Sequence, residues 1–190
     1  MTTRVRKTKA VNMEEYLRKH SPLKKGLVVK DEDRPIDNYS KIMDRLYLGN
    51  YLAAKDPEFF KKKNIKAVLN CTKDIPNKFR VDDTIEYMRL PVDDSLKDVD
   101  IVKMYNFLPA AIEFIHKHIV TQKHPIFIHC HAGRQRSAVC VLAYLTIKCG
   151  MSQKDAMDLM LKKRPEVFHF GLSYNFQKSF EKLYKQMTKK

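Results

Sequence analysis

Glycine and tryptophan are scarce in this chain, five and none among 190 residues, and its longest nearly unbroken apolar stretch is only Ala138 to Ile147. So little glycine excludes collagen-like and glycine-rich flexible polymers. So short an apolar stretch falls well below the roughly 20 residues of a membrane-spanning helix. Met1 to Asn12 holds no apolar segment of the signal-peptide kind. The four cysteines, Cys71, Cys130, Cys140 and Cys149, form no C-x-x-C pair and no Cys/His zinc spacing. That argues against a disulfide framework and a structural metal, and the thiols read as reduced. The expected setting is soluble and intracellular, the cytoplasm, with the nucleus also compatible. Acidic residues are short too, 22 against 37 Lys and Arg, for a net charge of +15. Eleven of those net charges lie at the two ends, nine cations against two anions in residues 1–30 and five against one in residues 178–190. A basic excess so placed fits solvated tails or polyanionic company, whether nucleic acid, anionic membrane or phosphorylated protein.

What is present suffices for a core: 44% hydrophobic residues, including ten Phe and nine Tyr, in a chain the size of one domain with modest extensions. Residues 1–39 read as a basic arm, with one amphipathic stretch at Met13, Tyr16 and Leu17 that can form a short helix. Residues 40–190 read as the folded domain, closing on a basic helix. Short β-prone runs occur at Leu46 to Gly49, Ala67 to Asn70, Ile85 to Leu90 and Ile126 to Ile128. Asp56 caps a short helix with Pro57 at its first position. Ile101, Met104, Leu108, Ile112, Ile115 and Ile119 form one helical face, which Pro109 is expected to bend or divide. Ser137 to Cys149 is apolar nearly all round, the pattern of a buried helix. Ser152 with Asp155 opens another helix that Arg164-Pro165 ends, and Tyr174 to Met187 forms the last. Alternating strands and helices predict an α/β fold with a central mixed, mostly parallel sheet flanked by helices.

Ile126 to Ala138 carries the chemistry. A buried strand runs into Cys130, a loop of His131, Ala132, Gly133, Arg134 and Gln135 follows, and Arg136 and Ser137 begin a buried helix. Loop amides and a helix N-terminus converging on one sulfur make a cradle for a phosphate-like dianion, and the same field favours a thiolate. Arg136 adds a forked guanidinium able to hold two phosphoryl oxygens as charge redistributes. A buried structural cysteine would leave the Gly-containing loop and its two arginines unexplained.

The run H-C-x-x-G-x-x-R-S resembles the phosphate-binding loop of the Cys-dependent protein tyrosine phosphatase superfamily. Leu46-Tyr47-Leu48-Gly49-Asn50, Ala67 to Asn70 and Leu90-Pro91-Val92-Asp93-Asp94 resemble its small dual-specificity branch, over about Ser40 to Lys185. The resemblance implies the cysteine-phosphatase fold and hydrolysis of phosphotyrosine and phosphoserine/phosphothreonine in proteins through a phosphocysteine, with no cofactor and no metal. It casts Cys130 as nucleophile, Arg136 as transition-state clamp, and His131 to Arg136 as amide donors. Ser137 would assist thiolate departure and His129 would position the cysteine. Asp94, three residues after Pro91, is favoured as general acid, with Asp93 as the alternative. His131 and Arg134 add cationic or donor groups beyond the family pattern, which keeps phosphoinositides, other phospholipids and RNA 5′ ends as competing substrates, with a non-catalytic phosphoprotein-binding module third.

Among the remaining residues, Cys71 is a candidate redox partner of Cys130, as in some family members. Cys140 and Cys149 read as packing. His116, His118 and His124 read as surface residues, and His20 and His169 have no assigned role. The arm is a candidate for homodimerisation, which the resemblance also implies for some members.

Overall fold

The computed structural model describes residues 37–79, 84–95, 97–168 and 174–188. The arm helix expected around Met13 to Leu17, His20 and His169 lie outside them.

Five strands form one sheet in the order β1-β2-β5-β3-β4, with β1 Tyr39–Met43, β2 Leu46–Gly49, β3 Ala67–Asn70, β4 Glu86–Arg89 and β5 Ile126–His129. Only β1 and β2 pair antiparallel; the other three ladders are parallel, Leu48 opposing Ile128 and Leu69 opposing Ile128 on either side of β5. β1, which the sequence reading missed, is a short edge strand. Its alternation is blurred because only Ile42 within it is fully buried. β2, β3 and β5 are buried at every position, as expected of strands covered on both faces.

The helices are α1 Pro57–Lys63, α2 Asp98–His116, α3 Arg136–Ile147, α4 Gln153–Lys163 and α5 Tyr174–Thr188. Asp56 caps α1, its carboxylate accepting the Glu58 and Phe59 amides at 3.0 and 3.2 Å, and Ser152 caps α4 through the Asp155 amide at 3.1 Å. α3 is buried from Ser137 to Thr146 and packs behind the sheet among α2, α4 and α5, its neighbours in the main core. A smaller aromatic core of Tyr47, Phe59, Phe60 and Phe127 fills the opposite face under α1.

Two expectations are corrected. Pro109 does not divide its helix, for α2 runs unbroken from Asp98 to His116 with Pro109 inside it. Pro109 faces solvent, where water can satisfy the carbonyl it frees, while Met104, Leu108, Ile112 and Ile115 on the other face hold both halves to the core. His118 is not a surface residue but 1% exposed. The chain widens into a π-helical turn over Lys117–Thr121 that brings His118 against Phe114, ring centroids 4.6 Å apart, and within 3.3 Å of a Glu86 carboxylate oxygen. Cys149 likewise departs from its packing role: α3 ends at Ile147, and Cys149 is exposed beyond it. Among the described residues no helix is long and apolar enough to cross a membrane.

Candidate active site

Cys130 ends β5 and Arg136 begins α3, so the intervening loop crosses the carboxyl end of the sheet, where α/β folds bind ligands. The Gly133 amide and the Ser137 hydroxyl each donate to Cys130 Sγ at 3.2 Å. Burial opposes a thiolate there, but Arg136, Ser137 and the Gly133 amide outweigh it and hold the Cys130 thiol below its ordinary value. Among the described residues no side chain caps the N-terminus of α3, and the Ser137 amide in its first turn is one of the groups that favour the Cys130 anion.

Gly133 is glycine for two reasons. Its φ of +67° belongs to the left-handed region, and a Cβ there would stand 2.4 Å from the Gly49 carbonyl oxygen. β2 thus presses directly on the loop. The outward carbonyls are tied down as well. Arg164, fully buried, donates from Nε to Gly133 O at 3.0 Å, from Nη2 to Ala132 O at 3.3 Å, and from Nη1 to Asp37 O and Ser40 Oγ at 2.8 and 3.3 Å. The Phe168 amide holds Arg134 O at 3.0 Å. With three consecutive carbonyls held by these donors, the Gly133 amide between them is kept on the sulfur.

A pocket of about 310 Å³ above the sulfur is lined by Asp94, Cys130, His131, Ala132, Arg134, Gln135 and Arg136. Arg136 Nη1 donates to Val92 O at 3.2 Å, joining the Cys130–Ser137 loop to the 90–95 loop, while its buried Nε has no hydrogen-bond partner among the described residues. An unmet guanidinium donor at a phosphate-sized pocket is a demand for an acceptor.

The two aspartates diverge. Asp93 binds Lys73 Nζ at 2.6 Å, and that hydrogen bond holds its carboxyl below the usual range. Asp94 lines the pocket and is exposed to solvent on its outer side. The surrounding protein raises its carboxyl above the usual value, with Asp100 adding to the rise and Arg136 opposing it. Asp100, buried at the start of α2, accepts the Asp93 amide at 3.3 Å and the Ser95 hydroxyl, shaping the turn that separates the pair.

His129 is buried and its ring stacks on Phe127, centroids 5.4 Å apart, with Nδ1 3.4 Å from Cys130 O. Burial pushes its pKa down to about 4, so it is neutral at pH 7. Cys71 is also buried, its amide donating to His129 O at 2.8 Å, and its Sγ lies 3.8 Å from Cys140 Sγ. Burial pushes the Cys71 thiol up. All four cysteines are free thiols.

Sequence reasoning missed Arg164, Asp100 and Tyr51. Nothing local separates Arg164 from the other basic residues, and its use depends on α4 ending beside the loop. Tyr51, after β2, stacks on His131 at 4.8 Å.

The family model "Dual specificity phosphatase, catalytic domain" matches residues 46–186. "Dual specificity protein phosphatase Mpk3" of Drosophila melanogaster is 39% identical over 129 residues, 66% of this chain and 30% of that protein. "Dual specificity protein phosphatase 9" of Homo sapiens is 32% identical over 143 residues, 73% of this chain and 36% of that protein. The chain therefore spans about a third of the length of these relatives. Among solved structures, human DUSP28 superposes with a TM-score of 0.67 at 20% identity, covering 80% of this chain and 95% of that one, a likeness of fold. The matched span includes β2 to β5 and α1 to α4 with the whole Cys130 to Ser137 loop, and this chain belongs to the dual specificity phosphatase catalytic-domain family.

Proposed function

We propose that the chain hydrolyses phosphotyrosine and phosphoserine or phosphothreonine in proteins through a phosphocysteine. The observation that carries this reading is the environment of Cys130 Sγ: two hydrogen-bond donors at 3.2 Å, with Arg136 and Asp94 lining the same pocket.

In this reading the substrate phosphate settles on the loop amides and the Arg136 guanidinium. The Cys130 thiolate attacks phosphorus, forming the P–S bond as the ester P–O bond breaks, and protonated Asp94 gives its proton to the departing oxygen. Water then attacks the phosphocysteine while Asp94, now a carboxylate, takes its proton. The P–S bond breaks, and Ser137 and Gly133 stabilise the thiolate that leaves. Arg136 keeps hold of the equatorial oxygens throughout. His129 positions Cys130 as a neutral ring. Asp93, bound to Lys73, is not used as the acid.

The test is phosphate release from phosphotyrosyl and phosphothreonyl peptides by the full chain. Turnover that disappears in Cys130→Ser supports the reading, and release only from phosphoinositides or RNA 5′ ends overturns the protein-phosphatase assignment. Retention of phosphopeptide without any turnover would make the chain a binding module. Whether the arm docks phosphoprotein, membrane or nucleic acid, or pairs two copies, is read by binding of each and by mass in solution, with and without residues 1–30.

A further inference from the structure

The pocket has an aromatic wall on one side. Asn50 follows β2 and is 9% exposed. Its Oδ1 accepts the Leu52 and Ala53 amides at 3.0 and 3.1 Å, and its Nδ2 donates to Asn38 Oδ1 at 3.0 Å. That network fixes the turn bearing Tyr51 and Lys55. The Tyr51 amide donates to His131 O at 3.0 Å, its ring stacks on the His131 imidazole with centroids 4.8 Å apart at 26°, and Lys55 Nζ stands 4.7 Å from the Tyr51 centroid. His131 is the first loop residue after Cys130; it is exposed and lines the pocket. Tyr51 covers one face of the imidazole.

We propose that His131, held in place by Tyr51, is a specificity-determining wall that favours aryl over alkyl phosphate esters, because the ring of phosphotyrosine stacks on its free face. This rests on the phosphatase reading above and deepens it. With phosphorus over Cys130, the ester group projects through a mouth bounded by His131, Arg134, Gln135 and Asp94. An aromatic ring there meets a flat imidazole whose position has already been fixed by the Asn50 turn, so stacking costs little ordering. A phosphothreonine side chain has no ring to present, and the wall then faces water. Offset-stacked aromatic pairs contribute enough for a discrimination of about 3–10-fold.

The test compares two peptides of one sequence, bearing phosphotyrosine or phosphothreonine, on the wild-type chain and on His131→Leu, His131→Phe, Tyr51→Ala and Tyr51→Phe. The expected result is a ratio of kcat/KM, phosphotyrosine over phosphothreonine, that falls about 3–10-fold in His131→Leu and Tyr51→Ala, chiefly through KM for the aryl peptide. The ring-keeping variants His131→Phe and Tyr51→Phe retain the ratio. An unchanged ratio in His131→Leu and Tyr51→Ala, or a ratio that falls equally in the ring-keeping variants, overturns the wall. If the wild-type chain hydrolyses neither peptide, the phosphatase reading fails by itself. Affinities of the same peptides for Cys130→Ser, with and without His131→Leu, then decide the wall: a selective loss for phosphotyrosine supports it and equal affinities overturn it.

Discussion

Arg164→Met is the most informative single change, because Arg164 does not line the pocket and yet holds two carbonyls of the Cys130–Ser137 loop. The methionine fills most of the buried volume but donates nothing. Gly133 O and Ala132 O lose donors at 3.0 and 3.3 Å, and Asp37 O loses one at 2.8 Å. A buried acceptor left unsatisfied costs about 1–3 kcal/mol. Part of this is recovered where water reaches the partly buried carbonyls, so the net loss should be about 2–5 kcal/mol. In a domain of this size that lowers Tm by about 5–15 °C. The functional effect is separable from the thermal one. Freed from Arg164, the peptide planes around Ala132 and Gly133 can rotate, and misaimed amide donors cost about 100-fold in kcat and weaken inorganic vanadate inhibition in parallel. Arg164→Lys restores a charge at one point only, so it should recover part of the Tm and little of the vanadate affinity. The assay is a thermal melt beside a vanadate inhibition constant, both well below the variant's Tm. A variant that melts low but binds vanadate within twofold of wild type would refute the positioning role. One with Tm within 2 °C of wild type would refute the energetic reasoning.

Asp94→Asn should reduce kcat by about 100-fold or more on esters whose leaving oxygen needs a proton, and far less on aryl esters of acidic phenols, whereas Asp93→Asn should cost under about tenfold. A larger loss in Asp93→Asn would reverse the assignment. The pH profile follows the same pair: kcat/KM rises as pH passes the lowered Cys130 value and falls as pH passes the raised Asp94 value, and Asp94→Asn should abolish the alkaline limb. Gly133→Ala should lower kcat/KM at least about 100-fold, because the Cβ meets the Gly49 carbonyl at 2.4 Å and only loop displacement relieves it. Near-normal kinetics would show that the loop tolerates the shift. His129, pushed from 6.5 to about 4 by burial, takes up a proton when unfolded before it does when folded. Its contribution is therefore present above about pH 6.5 and lost as pH falls towards 4, about 3 kcal/mol in all. Denaturant melts at pH 7 and 4.5 should show that slope in wild type and a flatter one in His129→Gln; equal slopes would count against it.

Much of this molecule is legible locally. Asp56-Pro57, Ser152 with Asp155, and the apolar run from Ala138 announce their helices because caps and periodicity act within a few residues. The Cys130 to Ser137 loop is legible for the same reason, since strand, loop and helix are contiguous and the chemistry lies between them. The misreadings share a different origin. Pro109 looks like a break until the packing of the opposite face is known, and His118 looks solvated until a π-helical turn rotates it inward. The two aspartates 93 and 94 are adjacent and chemically alike. Only Lys73, from the segment after β3, and Asp100, at the start of α2, send one away and leave the other at the pocket. One contiguous run marks Cys130 as the candidate nucleophile with a candidate anion cradle, and the alternation of strand and helix patterns predicts the α/β class. Only the tertiary structure brings Asp94 rather than Asp93 to the pocket lining, sets Arg164 against the carbonyls of Gly133 and Ala132, 31 and 32 residues earlier, and backs His131 with Tyr51, because each depends on separate elements meeting at the carboxyl end of one sheet.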